Sequence, residues 1–234
     1  MKNRSNQPEL MDLGPSHYTA EEYNDCLSKL GLVGLLLGGD RATLKAFAKL
    51  PSHLSSILDV GCGNGALTLK LAQKYPNAKV VGIDIAADAI DQANAYKDVY
   101  EKKHNCKLTN LSFQHRINPQ LSEPPKSYDV VTNCLVCHHL TDEQLIQFLR
   151  DAGRIARKAI IINDLHRHPL AYALFWLISP LFRNRMLRHD GLISICRGFK
   201  RRELVGYLQA AGFMPDSYTI KWMWAFRWLI TVRL

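Results

Sequence analysis

One stretch of this chain is built to hold a ligand with its backbone. Asp59-Val60-Gly61-Cys62-Gly63-Asn64-Gly65 closes the apolar run Ser56-Ile57-Leu58 and opens a segment of helical periodicity. Glycines at such a turn let the chain bend sharply and bring bare N–H groups against a ligand. Asp84 ends a second apolar run, Lys79-Val80-Val81-Gly82-Ile83. An acid there accepts both hydroxyls of a ribose. Gly61, Gly63 and Ala66 satisfy the G-x-G-x-x-G/A spacing of a nicotinamide dinucleotide site. Asp59 and Gly65 are features that this spacing does not require.

Ionisable residues gather at two further places. Cys134-Leu135-Val136-Cys137-His138 spells the haem c attachment pattern. That chemistry needs an exported protein, and the opening Met1-Lys2-Asn3-Arg4 leads into no apolar stretch, so no signal peptide is expected. Zinc on Cys134, Cys137, His138 and His139 would lack a second ligand pair, so no metal is expected. His138 and His139 are candidate bases, and a packing turn is the reading preferred for them. Asp164-Leu165-His166-Arg167-His168 follows a fifth apolar run. Here an imidazole could take a proton from a phenol or enol, and Arg167 could hold an anionic oxygen. His166 is the expected base. The apolar block after it should exclude water and keep the ring neutral.

Elements must position these groups. The chain has 234 residues, 47% of them hydrophobic, which fits one domain with a core that needs no disulfides. The net charge of +9 favours an anionic partner without choosing among nucleic acid, lipid and small molecule. The six cysteines are expected as free thiols in a cytoplasmic protein. Residues 1–16 read as a loose leader. Thr19 with Glu22 caps a first helix, and Asp40 starts a second that stops at Pro51. Residues 1–50 thus form a leader and helical cap, and 51–234 the main domain. Short apolar runs at 56–60, 79–83, 111–114, 128–133 and 159–163 alternate with helical segments, which predicts a parallel sheet covered on both faces. Runs at 218–224 and 228–234 have no helix between them and predict an antiparallel edge. Residues 165–199 read as a helical lid, first apolar (Tyr172, Phe175, Trp176, Phe182), then basic (Arg183, Arg185, Arg188, His189).

In order and spacing these stretches resemble class I S-adenosylmethionine (SAM) methyltransferases. Asp59 to Gly65 resembles their first motif, and Val81-Gly82-Ile83-Asp84 the ribose motif. Tyr128-Asp129-Val130-Val131 resembles the strand beside the reacting methyl group, and Ala211-Gly212-Phe213 the turn before the sixth strand. The resemblance spans roughly residues 40–234. It implies a doubly wound, seven-stranded Rossmann-like α/β sheet with an antiparallel last strand, N-terminal helices and the lid after the fifth strand. It implies that Asp59, Gly61, Cys62, Gly63, Asn64 and Gly65 line the cofactor SAM. It also implies that Asp84 holds the ribose, Ile85 packs on adenine and Asn133 meets the methionine amino group. The family's adenine-binding acid is missing from Gln114-His115-Arg116-Ile117-Asn118.

His166-Arg167-His168-Pro169-Leu170 and His189-Asp190-Gly191 resemble bacterial members encoded near type III polyketide synthases. That implies O-methylation of a phenolic or polyketide-like lipid, with Arg167, His168, His189 and Trp176 toward substrate. The basic lid would then meet anionic membrane. An RNA or protein methyltransferase is the alternative. Its Asn/Asp-Pro-Pro-aromatic run is replaced here by Asn133-Cys134-Leu135-Val136, and nucleic acid is not the expected partner. A non-catalytic SAM-binding protein is the third reading.

Overall fold

The computed structural model describes residues 1–14, 16–36 and 39–234. Seven strands form one sheet in the order β3-β2-β1-β4-β5-β7-β6. The first five strands are parallel: β1 (Ser56–Val60), β2 (Lys79–Asp84), β3 (Leu111–His115), β4 (Tyr128–Cys134) and β5 (Ala156–Leu165). Strand β7 (Arg227–Arg233) runs antiparallel between β5 and β6 (Tyr218–Met223). The hairpin joining β6 to β7 turns on Ala225 and Phe226, both left-handed at φ 64° and 54°. This is the Rossmann-like methyltransferase sheet with an inverted last strand.

Side-chain alternation along the strands divides the core in two. Ile57, Val80, Val130, Ile161 and Leu229 face α3 (Ala66–Lys74) and the end of α2 (Gly39–Phe47). Leu58, Val81, Val131, Ile160, Ile162 and Ile230 face α5 (Asp142–Ile155) and α8 (Arg201–Ala210). Thr141 and Gln144 cap α5 reciprocally, as the capping-box spacing predicts. Strand β5 is longer than its apolar run. Ala156 to Lys158 extend it at the start, Asp164 and Leu165 at the end.

The lid is helical: α6 (Pro169–Ile178), a short 3-10 turn, then α7 (Arg185–Arg197). Gly191 is needed there, because a Cβ would stand 2.4 Å from the Phe175 ring. Helix α1 (Ala20–Leu36) packs Tyr23, Cys26 and Leu27 on Met186 and Leu187 of α7.

The opening segment is not a loose leader. Arg4 donates to the carbonyls of Arg197, His138 and Leu140 and pairs with Asp142. The N–H groups of Leu10 and Met11 donate to Asp190. These charge-assisted bonds do the work that a periodic apolar face does elsewhere, so no hydropathy pattern announced them.

Candidate cofactor and acceptor site

The turn from β1 to α3 sits at the carboxyl end of the sheet, where doubly wound folds bind ligands. Gly61, Gly63 and Gly65 are all left-handed, at φ 70°, 52° and 74°, and each does a different job. A Cβ on Gly61 would lie 2.3 Å from Val136, and one on Gly65 2.5 Å from Phe113. Those two glycines permit close packing. A Cβ at Gly63 would meet nothing within 4 Å, so the space beside its Cα is open. Its N–H donates to Asp84 at 2.9 Å, and the other carboxylate oxygen of Asp84 accepts from Ala86 N–H at 3.0 Å. The carboxylate is therefore fixed before any ligand arrives. Ile85 beside it is 62% exposed. Tyr23 reaches over from α1, its phenol pushed up by burial and by the charge of Asp84.

Other residues expected in the pocket are occupied elsewhere. Asp59 is buried and accepts from the Thr68 hydroxyl at 2.7 Å, which ties β1 to α3. Asn133 is buried, donating to Val60 O and accepting from the Cys137 thiol. Cys62 is a buried packing residue whose thiol is pushed up by burial. Asn64 caps the turn by accepting from Ala66 N–H.

Burial lifts Asp59 to about 7. Its folded-state value lies above the unfolded one, so its favourable contribution is whole below about pH 4 and is lost as pH rises through about 7. Asp59→Asn will therefore flatten the fall in stability between about pH 4 and pH 7. The difference is at most ~4 kcal/mol, and thermal melts of both proteins at the two pH values measure it.

The ionisable run after β5 splits up. Arg167 lines the cavity beside His166, with its guanidinium engaged inside the fold. It is fully buried and donates to Gly198 O and Lys2 O, and its guanidinium pairs with Glu203. His168 caps α6 by accepting from Leu170 N–H. His166 lies 4.7 Å from Trp228, on the α8 side of the sheet. Its ring borders a cavity of about 520 Å³ that also holds Lys2, His168, Lys200 and Arg201. Burial, and then the charges of His168, Arg167 and Lys200, lower its pKa. Its Nδ1 has no partner among the described residues. Burial and the neighbouring cations both favour the neutral ring. Trp176 is 61% exposed on the outside of α6, and His189 is exposed and bonded to Asp190.

His138 and His139 form a buried polar centre with the opening segment. His138 Nδ1 donates to Asp164 at 2.8 Å, and His139 Nδ1 to Asp12 at 3.0 Å. Burial works against ionising Asp164 and Asp12, yet their histidine partners hold both carboxyls below the usual range. Burial raises Glu9, which lies between the two rings. Arg197 pins the loop by donating to the carbonyls of His138 and His139.

One residue that the sequence reading passed over stands out. Arg227, first residue of β7, is 2% exposed, and its Nε and Nη1 have no hydrogen-bond partner among the described residues. It pairs in register with Leu165. Alternation places it with Leu229 on the face of α2 and α3, the face of the glycine turn. Its guanidinium is wedged against α2, within 3.2 Å of where a Gly39 Cβ would be.

Residues 57–159 match the family model described as a methyltransferase domain. Over 166 residues, 69% of its length, the chain is 27% identical to the ubiquinone biosynthesis O-methyltransferase of Nitrosomonas europaea, covering 65% of that protein. Over 47 residues it is 51% identical to ribosomal RNA large subunit methyltransferase G of Shewanella amazonensis, covering 12% of it. The chain thus spans less than two thirds of these relatives' lengths. The plantazolicin methyltransferase BpumL, solved with S-adenosylhomocysteine (SAH), superposes with a TM-score of 0.67 at 17% identity, over 91% of this chain and 89% of that one. The fold is that of the SAM-dependent methyltransferases, and the matched residues are those of a methyltransferase domain. The residues present fit that cofactor: open space at Gly63 and a fixed Asp84 beside the exposed Ile85.

Proposed function

We propose, for a chain whose residues 57–159 match a methyltransferase domain, an enzyme that uses SAM to methylate oxygen on a small, acidic, phenol-like acceptor. The observation that carries this reading is Arg227, a buried cation whose Nε and Nη1 have no hydrogen-bond partner among the described residues, on the same face as the cofactor turn. An unpaired buried charge is costly unless something completes it. A phenolate or enolate oxygen would do so by accepting from Nε and Nη1.

SAM supplies an activated methyl group to an in-line displacement. Asp84 and the Gly63 peptide orient the ribose and amino-acid portions. Arg227 would hold the acceptor as its anion, the acidic hydroxyl having given its proton to solvent before binding, so positioning carries the rate. A second placement has its own support. His166, its pKa lowered and its buried Nδ1 without a partner among the described residues, borders the 520 Å³ cavity on the opposite face, with Trp228 as an apolar wall. An acceptor bound there would lose its proton to His166. Turnover of a phenolic acceptor by Arg227→Met and by His166→Ala separates the two, since only the residue facing the acceptor is needed.

The lid supports a lipid-like acceptor. Leu174, Trp176, Leu177 and Leu181 are exposed, Leu181 by 81%, and exposed Arg183, Arg185 and Arg188 follow them. No described helix is long and apolar enough to cross a membrane. An apolar patch rimmed by arginines suits the interface of an anionic bilayer, where each cation contributes ~1 kcal/mol. The protein is expected to float with anionic liposomes at low salt and to release at high salt. Flotation equal to that with neutral liposomes would leave the patch without this role.

A further inference from the structure

We propose that Glu9, His138 and His139 form a binding site for one transition-metal ion of the zinc class, which clamps the opening segment onto the loop after β4. His138 Nε2 stands 3.6 Å from Glu9 Oε1, and His139 Nε2 stands 3.8 Å from Glu9 Oε2. One ligand atom from each of the three residues lies within 4.8 Å of the others. Atoms bound at 2.0–2.2 Å to a tetrahedral ion stand about 3.3–3.6 Å apart, so small movements complete the set.

The arrangement around the histidines points the same way. The Nδ1 of His138 faces the Asp164 carboxylate and that of His139 the Asp12 carboxylate. A carboxylate only accepts, so both Nδ1 atoms carry protons, and each Nε2, once deprotonated, would turn its lone pair toward Glu9. Carboxylate-held histidines of this kind are the usual second layer of a zinc site. The third ligand shows what is missing. Glu9 is 2% exposed, and its Oε1 lacks a hydrogen-bond partner among the described residues. A divalent ion would satisfy that oxygen and offset the charges of Glu9, Asp12 and Asp164. Two imidazoles and one carboxylate select zinc, cobalt or nickel over magnesium or calcium. His139 and Asp12 are only partly buried, which leaves a route from solvent.

Cys134 and Cys137 take no part. Cys137 donates its thiol to Asn133, and burial raises both cysteines. The ligand completing the histidine pair comes instead from a residue far upstream. Glu9 is joined to the same centre by Arg197, which holds Gln7 O and Asp12 as well as the histidine carbonyls. Metal binding therefore fixes the segment whose neighbours Leu10 and Met11 are anchored on α7.

The test loads the full-length protein with Co²⁺ and with Zn²⁺, dialyses it, and counts bound metal per chain. One ion per chain is expected. The Co²⁺ spectrum should show d–d bands without a thiolate charge-transfer band, and Tm should rise with Zn²⁺ but not with Mg²⁺. Glu9→Gln keeps the shape of the buried side chain. Together with His139→Ala it should weaken retention ~100-fold or more. A wild-type chain that keeps no metal overturns the proposal whatever the variants do. So does a thiolate band, or retention unchanged in Glu9→Gln.

Discussion

Arg227→Met will lower kcat/KM for a phenolic acceptor ~100-fold while raising thermal stability. Both effects come from one fact, the guanidinium that is 2% exposed and has two nitrogens unsatisfied among the described residues. Methionine fills similar volume without a charge, so the folded protein loses a desolvated cation. A gain of ~1–3 kcal/mol is expected, or several degrees in Tm for a chain of this length. The acceptor loses a charge-assisted pair worth ~3 kcal/mol, which gives the hundredfold. KM and kcat both suffer, because the same contact binds the anion and aims its oxygen. A less stable Arg227→Met protein of normal activity would mean that the guanidinium is satisfied within the fold. Unchanged activity with a failing His166→Ala would move the acceptor to the α8 face.

Asp84→Ala will weaken binding of SAM and SAH by ~1–3 kcal/mol, about 5- to 150-fold, with little change in the fold. Among the described residues the carboxylate accepts from Gly63 N–H and Ala86 N–H and from no side-chain donor. Removing it exposes two backbone donors at an open turn, where water replaces the lost partner cheaply. The ribose hydroxyls lose their acceptor inside a bound complex, where replacement is dear. Asp84→Asn keeps one acceptor oxygen and should fall between. Calorimetric titration of SAH into the three proteins reads the series directly, and equal affinities would contradict the assignment of Asp84 to the cofactor.

The turn and the sheet were legible because they rest on local signals. Apolar runs ending in glycine, the Thr141–Gln144 cap and the paired runs at the carboxyl end each describe their own neighbourhood, and the structure carries all of them. Side-chain roles were less legible, because partners distant in sequence decide them. Arg167 reads as an anion holder after a strand, yet Gly198 and Glu203 claim it. Asp59 reads as a pocket acid, yet Thr68 on the next helix takes it inward. Glu9 carries no periodic signal at all. Only the fold brings it to His138. Arg227 left one trace: a cation in phase with Leu229 and Thr231 on an inward-facing strand position. A charge in phase with buried neighbours is a signal worth heeding.

The central claim is that the turn from β1 to α3, with Asp84, holds SAM rather than a dinucleotide. Calorimetry on the wild-type chain with SAH and, separately, with NAD tests it most directly. Saturable heat at micromolar SAH with one site per chain, and none with NAD, is the predicted result. Binding of NAD with no heat from SAH would contradict the account.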